Sequence, residues 1–368
     1  MILFMVVMLL SLIIGVWVTP KLMKGLKDNN MVVLDYYKKK ETWIPSKGGM
    51  VLLFTCALSI TVTPILIYGS RQVFYWTDID FLNTPYLLYI NYIIMLSILT
   101  YGIFGMVDDY FDIGRPIKAL LPLVFVAPLI LFLDPTTLHI PLYGTIHLKS
   151  AIFASIEPLD FLTYRVVYRF MIIPLYIMVC ANLVNMHSGF NGLATGTSLI
   201  VISTLILRAF IEILFINGGS TGEIVGIGAF MGGLIILWIY NYYPSKIFEG
   251  NTGSMMIGAA IGITIAVQGY LILGFICLIP HTFNFLLYVY WRIRKKLHPE
   301  NRRFDTVKWG GMRDDGTLEV PNALTLKWIL PKNYRMNEKQ VVWAMYALTG
   351  AFCLVGLVID IAILQFKI

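Results

Sequence analysis

Apolar runs of about twenty residues, the length that crosses a hydrocarbon core of roughly 30 Å, recur at 2–19, 48–68, 86–107, 117–133, 167–186, 193–216 and 223–242. A longer stretch from Gly253 to Trp291 is too long for one crossing, and a last run covers 340–366. Read as two helices that turn at Gln268-Gly269, the long stretch brings the total to about ten spans. The pattern predicts an all-α polytopic membrane protein. Two pieces interrupt it. Thr137 to Leu148 alternates around Tyr143-Gly144, which predicts a small hairpin on the outer face. Phe304 to Pro321 carries Asp314-Asp315-Gly316 between strand-like pieces, which predicts a second hairpin in a cytoplasmic loop.

Charge sets the expected orientation. Lys21, Lys24, Lys27, Lys38, Lys39, Lys40 and Lys47 crowd the first loop, and Arg292, Arg294, Lys295, Lys296, Arg302 and Arg303 open the last large one. Loops of the other parity hold little beyond Arg71, Lys149 and Arg165. Basic residues collect in cytoplasmic loops, so both termini are expected outside, in a multi-pass protein of the cell membrane. The segments around Asp108, Asn185–Asn191, Pro244–Thr252 and 292–338 are then expected to share the cytoplasmic face. The chain reads as one integral membrane domain, 1–368, with 292–338 as a cytoplasmic substrate-binding loop inside it.

Composition agrees: 58% of the 368 residues are hydrophobic and 13% charged, with a mean hydropathy of +0.76, which excludes a soluble fold with a polar shell. The net charge of +7 resides in those loops, so nucleic acid is not an expected partner. Cys56, Cys180, Cys277 and Cys353 lie inside apolar runs with no CxxC pair and read as packing residues. The first run has no basic flank before it and no small-residue cleavage pattern after it, so it reads as a span rather than a signal peptide.

Against this background the polar clusters stand out. Asp108, Asp109 and Asp112 follow a long apolar run, and Lys118 comes nine residues after Asp109. Charge at a membrane boundary costs several kcal/mol unless a partner or ligand needs it. An acid pair followed by a lysine can hold a divalent cation, orient a nucleophile and neutralise phosphate, the needs of phosphoryl transfer. A solvated loop between helices is the plainer alternative. The run Asn182-Leu183-Val184-Asn185-Met186-His187-Ser188-Gly189-Phe190-Asn191-Gly192-Leu193 offers neutral amide oxygens and close backbone approach, or simple helix capping. Phe248-Glu249-Gly250-Asn251-Thr252-Gly253 sets an aromatic face beside a small-residue turn. Arg302 and Arg303 suit bidentate binding of phosphate.

Together these stretches resemble the polyprenyl-phosphate N-acetylhexosamine-1-phosphate transferases. The family's Asp-Asp loop with a following Lys looks like Asp108, Asp109 and Lys118, and its Asn-x-x-Asn-x-x-x-Gly-x-Asn-Gly-Leu stretch is matched from Asn182 to Leu193. The resemblance runs from Asp35-Tyr36-Tyr37-Lys38 and Ile44-Pro45 to Asn322-x-x-Thr325-Leu326. His281-Thr282-Phe283-Asn284-Phe285-Leu286 and Asn322-Ala323-Leu324-Thr325-Leu326 are similar to the eukaryotic and archaeal branch, which uses UDP-GlcNAc and dolichyl phosphate. The bacterial muramyl-pentapeptide branch instead carries a His-rich motif in its last large loop, where this chain has only His298.

What the resemblance implies is a transferase that passes an N-acetylhexosamine 1-phosphate, GlcNAc 1-phosphate above all, from a UDP-sugar to a polyprenyl phosphate. UMP is released, in the first membrane step of an N-glycan-like assembly. It implies Mg²⁺, with Mn²⁺ as an alternative, near Asn185 and Asn251, uracil beside Gly189, Asn191 and Phe248, and transferring charge stabilised by Lys118 and Arg302. The family usually has Asp where Asn251 stands, and Pro-Arg-His-Arg where this chain has Pro299-Glu300-Asn301-Arg302. A homodimer stays open. The rival reading is a secondary transporter or ion channel using the acidic loop as a cation site. Relays need ionisable groups within the spans, and there the sequence offers chiefly Arg208 and Glu212, spaced as a structural ion pair.

Overall fold

The computed structural model describes residues 1–74, 85–111, 113–133, 137–140, 144–147, 163–216, 224–301, 304–305 and 310–366. Asp112, Arg302 and Arg303, each expected in the site, lie outside the described residues. Helix α1 (Ile2–Asp28) leads to a hairpin of β1 (Val32–Leu34) and β2 (Trp43–Pro45), then α2 (Gly49–Phe74) and α3 (Pro85–Phe111). A broken segment follows, α4 (Arg115–Leu120), α5 (Pro122–Phe125) and α6 (Ala127–Phe132), then β3 (Thr137–Ile140) paired with β4 (Gly144–His147). Next come α7 (Tyr164–Val167), a π-helical turn, α8 (Ile173–Met186), α9 (Leu193–Ile211), α10 (Val225–Asn241) and α11 (Gly250–Gln268). The chain closes with α12 (Leu271–Cys277), α13 (Ile279–Leu297), β5 (Gly311–Met312), β6 (Leu318–Glu319), α14 (Leu326–Asn333) and α15 (Glu338–Phe366).

This is the expected all-α membrane architecture with small hairpins. Among the described residues six helices are long and apolar enough to cross a bilayer, and the bent pair α12–α13 makes a seventh. Apolar helices at Gly49–Ile65, Pro116–Phe132 and Val225–Asn241 are shorter. Length and composition therefore support six or seven crossings, and the expected ten is reached only by adding those three.

Local chemistry accounts for the departures from the sequence pattern. Helix α1 continues past its apolar run to Asp28, so Lys21, Lys24 and Lys27 sit on its final turns rather than in a loop, where cations complement the helix dipole. The run 117–133, expected as one span, is broken at Leu121 and Val126, each just before a segment with proline in its first turn; proline cannot donate the hydrogen bond a continuous helix needs. The turn at Gln268-Gly269 is present, with Gly269 at φ +73. A second break follows at Leu278, where Pro280 opens α13 and the axis bends by 60°. The β5–β6 hairpin forms as expected, and β1–β2 is an additional hairpin.

Helix α11 is the centre of the bundle, buried along nearly its whole length, as expected of a helix apolar on every side. Glycines bring its neighbours close. A Cβ on Gly258 would lie 2.5 Å from Ala181 Cα of α8, and one on Gly105 of α3 would lie 2.5 Å from the Asn251 carbonyl oxygen. That contact seats the end of α3, with its acid pair, against the start of α11. The four cysteines are buried and unbridged, as their apolar surroundings predicted.

Candidate active site

A cavity of about 570 Å³ opens at one end of the bundle, where the ends of α3 and α8 and the start of α11 meet the β1–β2 hairpin. Asp109, Asn185, Gly189, Asn191, Phe248 and Asn251, drawn from three separate stretches, all line it. The hairpin adds Asp35, Tyr36, Tyr37 and Trp43. The sequence-predicted clusters therefore do converge.

The two adjacent acids do different work. Asp109 Oδ1 accepts the Asn251 N–H at 2.9 Å, and Oδ2 accepts the Thr252 N–H at 3.0 Å and the Thr252 hydroxyl at 2.8 Å. These are orphan donors of the first turn of α11, which a carboxylate satisfies while also favouring the positive helix end. Asp108 is 4% exposed, accepts the Ile113 N–H at 3.0 Å and is ion-paired with Lys118. Asp108 and Lys118, expected to serve a cation or nucleophile and a phosphate, are thus paired with each other, beside the Asp109 wall rather than in it.

The amide stretch is equally organised. Asn185 Oδ1 accepts the Ser254 hydroxyl at 3.0 Å, tying α8 to α11. Asn191 is 1% exposed; its Oδ1 accepts the Ser245 N–H at 2.8 Å, its N–H donates to Glu338 Oε1 at 2.7 Å and its Nδ2 donates to Asp35 Oδ1 at 3.4 Å. Its amide is already engaged on several sides, so it acts as a strut in the wall. Gly189 has φ +96, and a Cβ there would lie 2.6 Å from Lys327 Nζ. Phe248 is held through its backbone, its N–H on the Pro45 carbonyl at 2.9 Å and its carbonyl on the Gly48 N–H at 2.6 Å.

Sequence reasoning assigned no site role to Asp35, Lys38, Glu249, Lys327 or Glu338. Lys327 donates to the Ser188 carbonyl and sits 4.6 Å from the centre of the Phe190 ring. Burial lowers its pKa to about 8, against the opposing pull of Glu338 and Glu249. Glu249 has its pKa raised, first by burial. Only the Asp35-Tyr36-Tyr37-Lys38 and Ile44-Pro45 matches hinted at the hairpin. In the other loops charge reads as topology.

The relay reading gains no support. Arg208 pairs with Glu212 at 2.8 Å as the spacing suggested, and also with Asp360 of α15, which the sequence reading did not bring in. The Tyr270 hydroxyl completes the cluster by donating to Glu212 at 2.8 Å. These groups satisfy one another, as a structural ion pair should.

Among the described residues no three His, Cys, Asp or Glu side chains gather as a metal cage. The cavity does collect hard oxygen donors in the Asp109 carboxylate and the Asn185 and Asn251 carboxamides. Mg²⁺ is commonly held by one or two carboxylates plus substrate phosphates and water. This donor set fits a cation that arrives with a diphosphate.

Fold and site together define a polytopic membrane protein whose cavity, built from helix ends, is lined by carboxylates, carboxamides and aromatic faces. Residues 91–269 match glycosyl transferase family 4. A protein of Saccharolobus solfataricus, provisionally named a UDP-N-acetylglucosamine–dolichyl-phosphate N-acetylglucosaminephosphotransferase, is 28% identical over 272 residues, 73% of this chain and 74% of that one. A similarly named protein of Sulfolobus acidocaldarius is 29% identical over 271 residues, 72% of each chain. A phospho-N-acetylmuramoyl-pentapeptide-transferase of Borrelia turicatae is 29% identical over 330 residues, 83% of this chain and 86% of its own. The resemblance read from the motifs is borne out.

Proposed function

We propose that this protein transfers N-acetylglucosamine 1-phosphate from UDP-N-acetylglucosamine to a dolichyl-type polyprenyl phosphate and releases UMP. The reading rests on one observation: Asp109, Asn185, Gly189, Phe248 and Asn251 line a single cavity at the end of a membrane bundle. The branch is favoured by two motifs that meet, since Asn284 Oδ1 accepts the Leu326 N–H at 2.9 Å and its Nδ2 donates to the Met186 carbonyl at 3.0 Å.

In the reaction an oxygen of the lipid phosphate attacks the β-phosphorus, the bond from that phosphorus to the bridging oxygen breaks, and UMP departs with the electron pair. A phosphate monoester has a second pKa near 6 and is mostly dianionic at neutral pH, so no base is needed to free the nucleophile. Asp108 is accordingly a positioning residue for its ion-pair partner Lys118, to which we assign stabilisation of the charge that develops on the transferring group. Asp109, Asn185 and Asn251 would hold Mg²⁺, which when bound neutralises the diphosphate oxygens. Asp109 also fixes the start of α11, so one carboxylate couples the fold to the site. Phe248 and Gly189 offer a flat face and a side-chain-free surface for uracil, and Arg302 is expected to meet phosphate. A polyprenyl tail partitions into lipid at about 0.8 kcal/mol per CH₂, which keeps the acceptor at the membrane. The basic loops favour a cytoplasmic site.

Purified protein given Mg²⁺, a short polyprenyl phosphate and UDP-GlcNAc should release UMP and form a lipid-linked GlcNAc diphosphate, with UDP-GalNAc a poorer donor. Release of UDP, or turnover of no UDP-sugar, would overturn the reading.

A further inference from the structure

Glu338 stands in the first turn of α15, where a carboxylate ordinarily faces solvent and complements its own helix dipole. Here it is 3% exposed and turned away from that task. Its Oε1 accepts the Asn191 N–H at 2.7 Å and its Oε2 accepts from Lys38 Nζ at 2.7 Å. Lys38 Nζ lies 3.1 Å from Asp35 Oδ2 and 4.3 Å from the centre of the Tyr243 ring. Asp35 Oδ1 in turn accepts from Asn191 Nδ2 at 3.4 Å. The contacts close a circuit: Asn191 backbone, Glu338, Lys38, Asp35, Asn191 side chain.

Three distant parts of the chain, the first hairpin, the amide stretch and the start of the last helix, are locked by this ring. Burying two carboxylates and one ammonium is expensive, and a surface ion pair would have held the same elements together at less cost. The circuit encloses only one residue of the cavity wall by both its backbone and its side chain, and that residue is Asn191. We propose that Glu338 and Lys38 are positioning residues that hold the strut Asn191, and through it the Gly189 side of the cavity wall, in register for the nucleoside half of the donor and thereby set donor affinity rather than the rate of the phosphoryl step. The proposal rests on the functional reading above.

The experiment compares Glu338→Met, which removes both acceptor oxygens, with Glu338→Gln, which keeps one, and with Lys38→Met, which opens the circuit from its other side. Loss of a buried hydrogen bond to a charged group corresponds to an about ten- to hundredfold change in affinity. Glu338→Met should raise KM for UDP-GlcNAc and Kd for UDP by that factor, with kcat at saturation within about threefold and KM for the lipid phosphate unchanged. Glu338→Gln should restore most of the UDP affinity, and Lys38→Met should reproduce the same KM-selective defect. Titration calorimetry with UDP reads the binding arm without turnover. If Glu338→Met folds poorly, Lys38→Met alone decides by the same split. A fall in kcat at unchanged UDP affinity, or equal rises in both KM values, overturns the proposal. Wild-type protein that binds UDP yet turns over no UDP-sugar would sink the functional reading and leave the binding arm to judge the circuit.

Discussion

Asn251 is the position at which single-residue chemistry is most exposed to test. It lines the cavity beside Asp109 and brings a neutral oxygen where the motif resemblance leads one to expect a carboxylate. Hard cations are bound more tightly as ligand charge rises, so Asn251→Asp should lower the Mg²⁺ concentration for half-maximal UMP release several-fold. An unchanged or higher requirement in a magnesium titration would show that Asn251 lies off the cation. At this scale the sequence was legible where residues sit near one another in the chain: Asp108 and Lys118 as one cluster, and Arg208 with Glu212 as an ion pair. It was silent on Asp360 beside Arg208 and on Glu338 beside Asn191, because partners about 150 positions apart share no local spacing. Lys38 and Lys327 were hidden for another reason. Lysines in basic loops all carry the same topological signal, and only packing separates a buried one from the rest.

The elements place these residues through backbone proximity. Gly105 sits four residues before Asp109, so the approach of α3 to α11 fixes where the acid pair reaches. Gly105→Ala would set a methyl 2.5 Å from the Asn251 carbonyl oxygen. Overpacking of this kind costs about 1–3 kcal/mol, and here it would also shift Asp109 away from the Asn251 and Thr252 donors. The variant should melt several degrees lower in detergent and lose UMP release well beyond its loss of folded protein. A melting point and turnover equal to wild type would mean that the helices are not held by this contact. Apolar run length located most of the helices, since a span announces itself by composition. Breaks were less legible. Pro122 and Pro280 were visible signals, yet run length outweighed them in reading 117–133 and Gly253–Trp291. The β1–β2 hairpin has strands of three residues, too short for a clear alternating pattern.

For the molecule as a whole, scattered polar clusters on a chain of 58% hydrophobic residues become one cavity only because the helix ends bring them together. A membrane bundle with a cavity open at one end suits a reaction between a water-soluble nucleotide sugar and a lipid that cannot leave the bilayer. The bond that breaks in the donor distinguishes phosphosugar transfer from sugar transfer. With UDP-GlcNAc labelled by ³²P at the β-phosphorus, wild-type protein and a polyprenyl phosphate, the account predicts that the label moves quantitatively into the lipid product while unlabelled UMP accumulates. Label that stays with the released nucleotide, as UDP, would mean transfer of the sugar alone and would contradict it.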